Sequence, residues 1–147
     1  MTRKRKNRQR RSGFTMIELM AMLIIIGILA TLVVTKVASK IDQARVTTTK
    51  ANLKSLHSAV NQFKMDTGRY PTEEGLTALV EQPSDVTGWE PGGYLDTTDI
   101  PKDAWNSEFI YELEPASGKP FVIKSFGADV QEGGEGYDAD LQSTDAF

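Results

Sequence analysis

The run Phe14–Val34, FTMIELMAMLIIIGILATLVV, holds a single charge, Glu18. A helix of this length, at about 1.5 Å per residue, covers roughly 31 Å and matches the hydrocarbon core of a bilayer. It can cross a membrane once. A carboxylate inside such a segment costs roughly 2.5–3.5 kcal/mol on insertion scales, so Glu18 needs a compensating interaction. Seven basic residues (Arg3, Lys4, Arg5, Lys6, Arg8, Arg10 and Arg11) precede the run, with no acid among residues 1–13. From Asp66 onward the balance reverses, with 18 Asp and Glu against four Lys and Arg. Because Lys and Arg are retained on the cytoplasmic side, the N-terminus is expected inside and the acidic C-terminal part outside the membrane. A basic run can also bind phosphates as a nucleic-acid arm. Next to a spanning segment it reads instead as a topology signal, and no nucleic-acid partner is expected.

A secretory signal would end in a small-residue cleavage site after the apolar run, yet ATLVVTKVASK continues without a turn signal. Helical character persists. Leu53, Leu56, Val60 and Phe63 step by three and four residues, which makes one apolar stripe on an otherwise polar helix. No proline falls between residues 14 and 66, and Gly68 stands where a C-terminal cap belongs. The pattern predicts one helix of about 53 residues, roughly 80 Å long. Its first half is apolar nearly all round, and its second half carries a soluble head on one face.

That head comes from the remainder of a 147-residue chain, enough for one small core. Thr72-Glu73-Glu74 is a helix start, and Leu76, Leu79 and Val80 give a short apolar face behind it. A loop rich in Pro, Gly and Asp runs from Gln82 to Ala104. EFIYELEP and KPFVIKSF, separated by ASG, alternate as a β-hairpin that lies on the helix stripe. Beyond Phe126 the apolar pattern ends in an acidic, glycine-rich loop. With no cysteine, the head has neither disulfide nor thiolate metal site, and a bound cation is the obvious alternative staple. The single histidine, His57, falls in the helical pattern and reads as an ordinary helix residue. No nucleophile and base pair stands out, so the chain is read as having no catalytic residues and no enzymatic activity.

The stretch RSGFTMIELMAMLIIIGILATLVV resembles the type IV pilin-like superfamily, which shares a basic leader, a Gly before a Phe and a Glu at the fifth mature position: here Gly13, Phe14 and Glu18. NQFKMDTGRYPTEEGLTALVEQP, YLDTTDIPKDAWNSEFIYE and IKSFGADVQEGGEGYDADL are similar, in order, to the major pseudopilins of type II secretion systems. Three places depart from that pattern. Thr35 stands at a usual proline, Asp103-Ala104-Trp105-Asn106 replaces Asp-Pro-Trp-Gly, and the chain closes with Leu141-Gln142-Ser143 in place of a Gly-Asn-Trp ending.

The resemblance implies cleavage by a prepilin peptidase between Gly13 and Phe14, N-methylation of Phe14, and polymerisation at the inner membrane into a helical pseudopilus that helps drive folded proteins across the outer membrane. Partners implied are copies of the same chain, minor pseudopilins and the inner-membrane assembly platform. In that setting the new amine of Phe14 pairs with Glu18 of a neighbouring subunit, neutralising both charges and fixing the stagger. The plainer reading is that Glu18 sits near a helix N-terminus and is favoured by its dipole. The alternative function is a type IV pilin for adhesion, motility or DNA uptake. From another class, the alternative is a membrane-anchored calcium-dependent binding module that never polymerises.

The loop DVQEGGEGYDAD, Asp129–Asp140, has Gly134 where an EF-hand has its turn glycine. It lacks that motif's ligands at the third, fifth and twelfth positions and its flanking helices. Through the resemblance, Asp129 with one or both of Asp138 and Asp140 are implied calcium ligands, joined by the backbone oxygens of Phe126 and Gln131. A solvated acidic loop is the alternative. The expected fold is therefore α+β: a long N-terminal helix, membrane-spanning in its first half, packed by its second half against a small antiparallel sheet with a C-terminal calcium-binding loop. The expected divisions are a leader at 1–13, a transmembrane and filament-core helix at 14–37, and a periplasmic head at 38–147.

Overall fold

The computed structural model describes residues 13–145, without the side chains of 32–38. The basic leader up to Ser12 therefore lies outside the described residues. One helix, α1 (Met16–Thr67), runs unbroken for 52 residues and includes position 35, where the related pattern has proline. Its end follows from Gly68, whose φ of 83° is the left-handed conformation that glycine enters without a Cβ penalty. From there the Gly68 N–H donates back to the Lys64 carbonyl at 2.9 Å and satisfies one of the helix's open acceptors.

The chain divides into two compact units, meeting after Ser39. In the first, every described side chain from Phe14 to Thr31 is exposed, with Met16 at 85% and Ile26 at 54%. Apolar surface on all sides of a helix belongs in lipid or among other helices. Among the described residues no helix is long and apolar enough to cross a membrane. The predicted span, 14–34, ends on residues whose side chains lie outside the description.

The second unit, residues 40–147, is built on one face of α1. Leu53, Leu56, Val60 and Phe63 are all fully buried, and Thr49 and Ala59 extend the same seam. Each large apolar side chain removed from water contributes about 1.5–3 kcal/mol, so this stripe is the main reason the helix and head hold together. Against it lies an antiparallel sheet of three strands in the order β1 (Ile110–Leu113), β2 (Phe121–Ser125) and β3 (Leu141–Gln142). The predicted hairpin is β1–β2, in register from Ile110 opposite Lys124 to Leu113 opposite Phe121. Strand β2 is central and buried along most of its length. Phe121 sits 4.7 Å, ring centre to ring centre, from His57 and 5.2 Å from Tyr70, so His57 is a packing residue beside the core. Burial pushes the His57 pKa down.

Two local expectations are corrected. The segment after Thr72 does not form an α-helix, because Gly75 takes a φ of 55° and breaks the right-handed winding. A single 3-10 turn, Gly75–Leu79, follows it and still buries Leu76 and Leu79. The acidic tail is not all loop either. It returns as β3, with Ser125 opposite Leu141 and the Ser143 N–H donating to the Ile123 carbonyl at 2.8 Å.

Ahead of the 3-10 turn, Arg69 bridges Glu74 at 2.6 Å and Asp85 at 3.0 Å. The hydrogen bond from Arg69 is the main cause that holds the Glu74 carboxyl down at about 2, against 4.5 for the unperturbed group. The folded-state value lies below the unfolded one. The resulting stability is therefore complete above about pH 4.5 and is lost as pH falls through about 2. Melting curves between pH 5 and pH 2 are expected to fall more steeply for the wild-type chain than for Glu74→Gln, which has no proton to take up. Parallel curves would show that this bridge does not contribute.

Candidate functional site

At the start of α1 the side chains of Thr15 and Glu18 cap the helix reciprocally. The Thr15 hydroxyl oxygen accepts from the Glu18 N–H at 3.3 Å, and Glu18 Oε2 accepts from the Thr15 N–H at 2.9 Å. The Thr15 hydroxyl also donates to Glu18 Oε2 at 3.0 Å. Thr15 is the N-cap, since its carbonyl accepts the first helical bond, from the Leu19 N–H at 3.2 Å. Glu18 thus satisfies donors that would otherwise be open at the helix end, which is a capping box. Thr15 was missed in the sequence reading, although Thr-x-x-Glu ahead of an apolar run is the signal for it. Gly13 and Phe14 precede the helix outside any regular element and are exposed, which leaves the bond between them open to approach.

The acidic loop leaves β2 at Phe126 and doubles back. The Ala128 N–H donates to the Tyr137 carbonyl at 3.0 Å and the Asp140 N–H to the Gly133 carbonyl at 3.1 Å. Two glycines make the close return possible. A Cβ on Gly127 would stand 2.9 Å from the carbonyl oxygens of both Tyr137 and Ala139, and one on Gly134 would collide with the Asp138 carbonyl. Asp140 is half-buried: one oxygen, Oδ2, accepts from the Gly133 N–H at 3.1 Å, while Oδ1 is buried without a hydrogen-bond partner. Asp129 is exposed and accepts from the Gln131 N–H at 3.1 Å, and Asp138 is exposed on the returning limb.

Asp138 and Asp140 therefore meet the Gly133-Gly134 backbone, while Asp129 is held in its own turn with Gln131. Among the described residues no three Asp, Glu or His side chains gather into a group that would hold a metal ion by themselves. Any remaining oxygens would have to come from backbone carbonyls. The loop is flanked by strands on both sides, which removes the EF-hand reading. Lys124 of β2 pairs with Glu112 at 2.9 Å. That hydrogen bond chiefly raises its pKa, with Glu132 and Asp140 adding to the negative field.

Comparison with known proteins places this geometry among relatives. Residues 36–144 match the family model described as type II secretion system (T2SS), protein G, and residues 8–34 match the prokaryotic N-terminal methylation motif. The chain is 42% identical over 142 residues to a type II secretion system core protein G of Pseudomonas aeruginosa, covering 94% of this chain and 98% of that one. It is 34% identical over 139 residues to the protein of the same name from Vibrio cholerae, covering 92% and 93%. The fold is similar to the crystal structure of the major pseudopilin from the type 2 secretion system of enterohaemorrhagic Escherichia coli. The TM-score is 0.59 at 26% identity, over 71% of this chain and 90% of that chain.

Proposed function

Since the chain belongs to the type II secretion system protein G family, we propose that it is the major structural subunit of a pseudopilus, anchored by α1 in the inner membrane with its head in the periplasm. The observation that carries this reading is a family match over residues 36–144, continued upstream by a methylation motif that spans the Gly13–Phe14 bond. The family is one of structural pseudopilins, and the match does not favour the adhesion, motility or DNA-uptake pilin. The residues of the N-terminal unit suit a filament core. A helix that is apolar on all sides can rest in lipid before assembly and among copies of itself afterwards. The span across the bilayer, from Phe14 to Val34, rests on the sequence and on the basic leader that would stay cytoplasmic.

In a filament, Glu18 would face the amine of Phe14 on a neighbouring copy once the Gly13–Phe14 bond is cut by a prepilin peptidase. A carboxylate has lone pairs enough to keep the Thr15 N–H and accept from that amine as well. Partner copies, minor pseudopilins and the inner-membrane assembly platform follow from the same reading. Mass spectrometry of the membrane fraction is expected to find a chain that begins at methylated Phe14. A mature chain that keeps Met1, or starts after residue 30, would overturn it.

The acidic loop is read as a calcium site. Support comes from the buried, unpartnered Oδ1 of Asp140 in a loop of clustered acids, which suits a hard cation that takes six to eight oxygens. Asp129, Asp138 and Asp140, with the carbonyls of Phe126 and Gln131, would hold it, and Asp140 is the better placed of the two late aspartates. Calcium would supply the positive charge that lets these acids approach one another. The full chain in detergent is expected to melt clearly higher in calcium than in chelator and much less so in magnesium, which gives up its water reluctantly. Equal midpoints in calcium and chelator would leave the loop a solvated acidic segment.

A further inference from the structure

We propose that Asp103 is the positioning residue of the acidic loop, acting through the hydroxyl of Ser125. Asp103 is 6% exposed, and its side chain accepts three hydrogen bonds. Oδ1 accepts from the N–H groups of Trp105 at 3.0 Å and Ser107 at 2.8 Å, which closes the turn that Asp103 itself begins. Asn106 completes that turn in the left-handed conformation, at a φ of 70°, where the related pattern has glycine. Oδ2 accepts from the Ser125 hydroxyl at 2.6 Å. With its proton committed to Asp103, the Ser125 oxygen turns a lone pair outward, and it accepts from the Gly127 N–H at 3.3 Å.

Gly127 is the first residue beyond Phe126 and the point where the outgoing limb of the loop meets the returning one, against the carbonyls of Tyr137 and Ala139. Where its backbone sits sets the spacing of the two limbs. The turn that carries Asp103 is in turn pinned to α1. The Ala104 N–H donates to Thr49 Oγ1 at 3.1 Å, and Asn52 Nδ2 donates to the Lys102 carbonyl at 2.9 Å. Hydrogen bonds therefore tie α1 to the backbone on either side of Asp103, and from its side chain they continue through Ser125 to the base of the loop. No residue in these bonds, from Thr49 to Gly127, is among the residues read as metal ligands. Groups that orient ligands without touching the ion commonly change metal affinity by about 10- to 100-fold. The link to calcium rests on the site reading given above; the link to loop geometry does not.

The test uses the full chain in detergent micelles, as wild type, Asp103→Asn and Ser125→Ala. Asparagine keeps an oxygen for Trp105 and Ser107 but reverses the bond to Ser125, while alanine deletes only the hydroxyl. Two readouts are taken: calcium titration by calorimetry, and amide hydrogen exchange in chelator. Both variants are expected to bind calcium about tenfold more weakly or worse. In chelator, both are expected to exchange faster at Gly127 and Ala128 while β1 and β2 stay protected. Unchanged affinity together with unchanged loop exchange would overturn the proposal. So would an Asp103→Asn chain that loses protection throughout the hairpin while Ser125→Ala behaves as wild type, since Asp103 would then be a general core residue. A wild-type chain that takes up no calcium overturns the site reading instead, and the exchange measured in chelator still decides the positioning role.

Discussion

The burial of one face of α1 against β2 is the contact on which the head depends. Leu53, Leu56, Val60 and Phe63 supply that face, and Phe121 and Ile123 belong to the same core. Other elements are attached around it. The 3-10 turn contributes Leu76 and Leu79, and the long loop sends Trp89 and Tyr94 against the core, with Trp89 Nε1 donating to the Ala78 carbonyl at 2.9 Å. Thr49 ends the seam with a polar group that is fully buried and bonded to the Ala104 N–H, so the last position of the apolar stripe doubles as an anchor for the 103–107 turn. A protein without disulfides places its polar ties on a hydrophobic support in this way, since each hydrogen bond alone adds only about 1 kcal/mol.

How much could be read beforehand depended on the range of the interaction concerned. The 3.6-residue period of Leu53 to Phe63 and the glycine after Thr67 are local signals, and they gave α1 to within two residues at each end. The alternation in EFIYELEP and KPFVIKSF is equally local, and the hairpin follows it. The 3-10 turn escaped because a helix start at Thr72 looks complete until Gly75 turns left-handed. Strand β3 escaped because two residues carry no period; it exists through pairing with a buried β2 that already has β1 on its other edge.

The candidate positions divide in the same way. Gly13, Phe14 and Glu18 were read from a contiguous motif that falls within the methylation-motif match over residues 8–34, and the Thr15 cap was legible in principle from its spacing to Glu18. Composition marked only an acidic, glycine-rich loop; Asp129, Asp138 and Asp140 were singled out as ligands through the family resemblance. Asp140 and Asp138 look alike in the sequence and differ only in packing, which leaves one oxygen of Asp140 buried. Asp103 and Ser125 are 22 positions apart and carry no signature at all; only the fold brings the carboxylate and the hydroxyl within 2.6 Å.

The two roles open to Glu18, helix capping within one chain and charge pairing between chains, can be separated by a single substitution. Glutamine at this position keeps the capping geometry with Thr15, because a side-chain amide oxygen serves as well as a carboxylate in a capping box, but it removes the charge. The decisive measurement is electron microscopy of sheared fibres from cells that express the chain with a prepilin peptidase, comparing wild type with Glu18→Gln. A filament subunit registered by charge pairing gives fibres from the wild-type chain and few or none from the variant. Equal fibre yield from both, or no fibres from a correctly processed wild-type chain, would contradict the account.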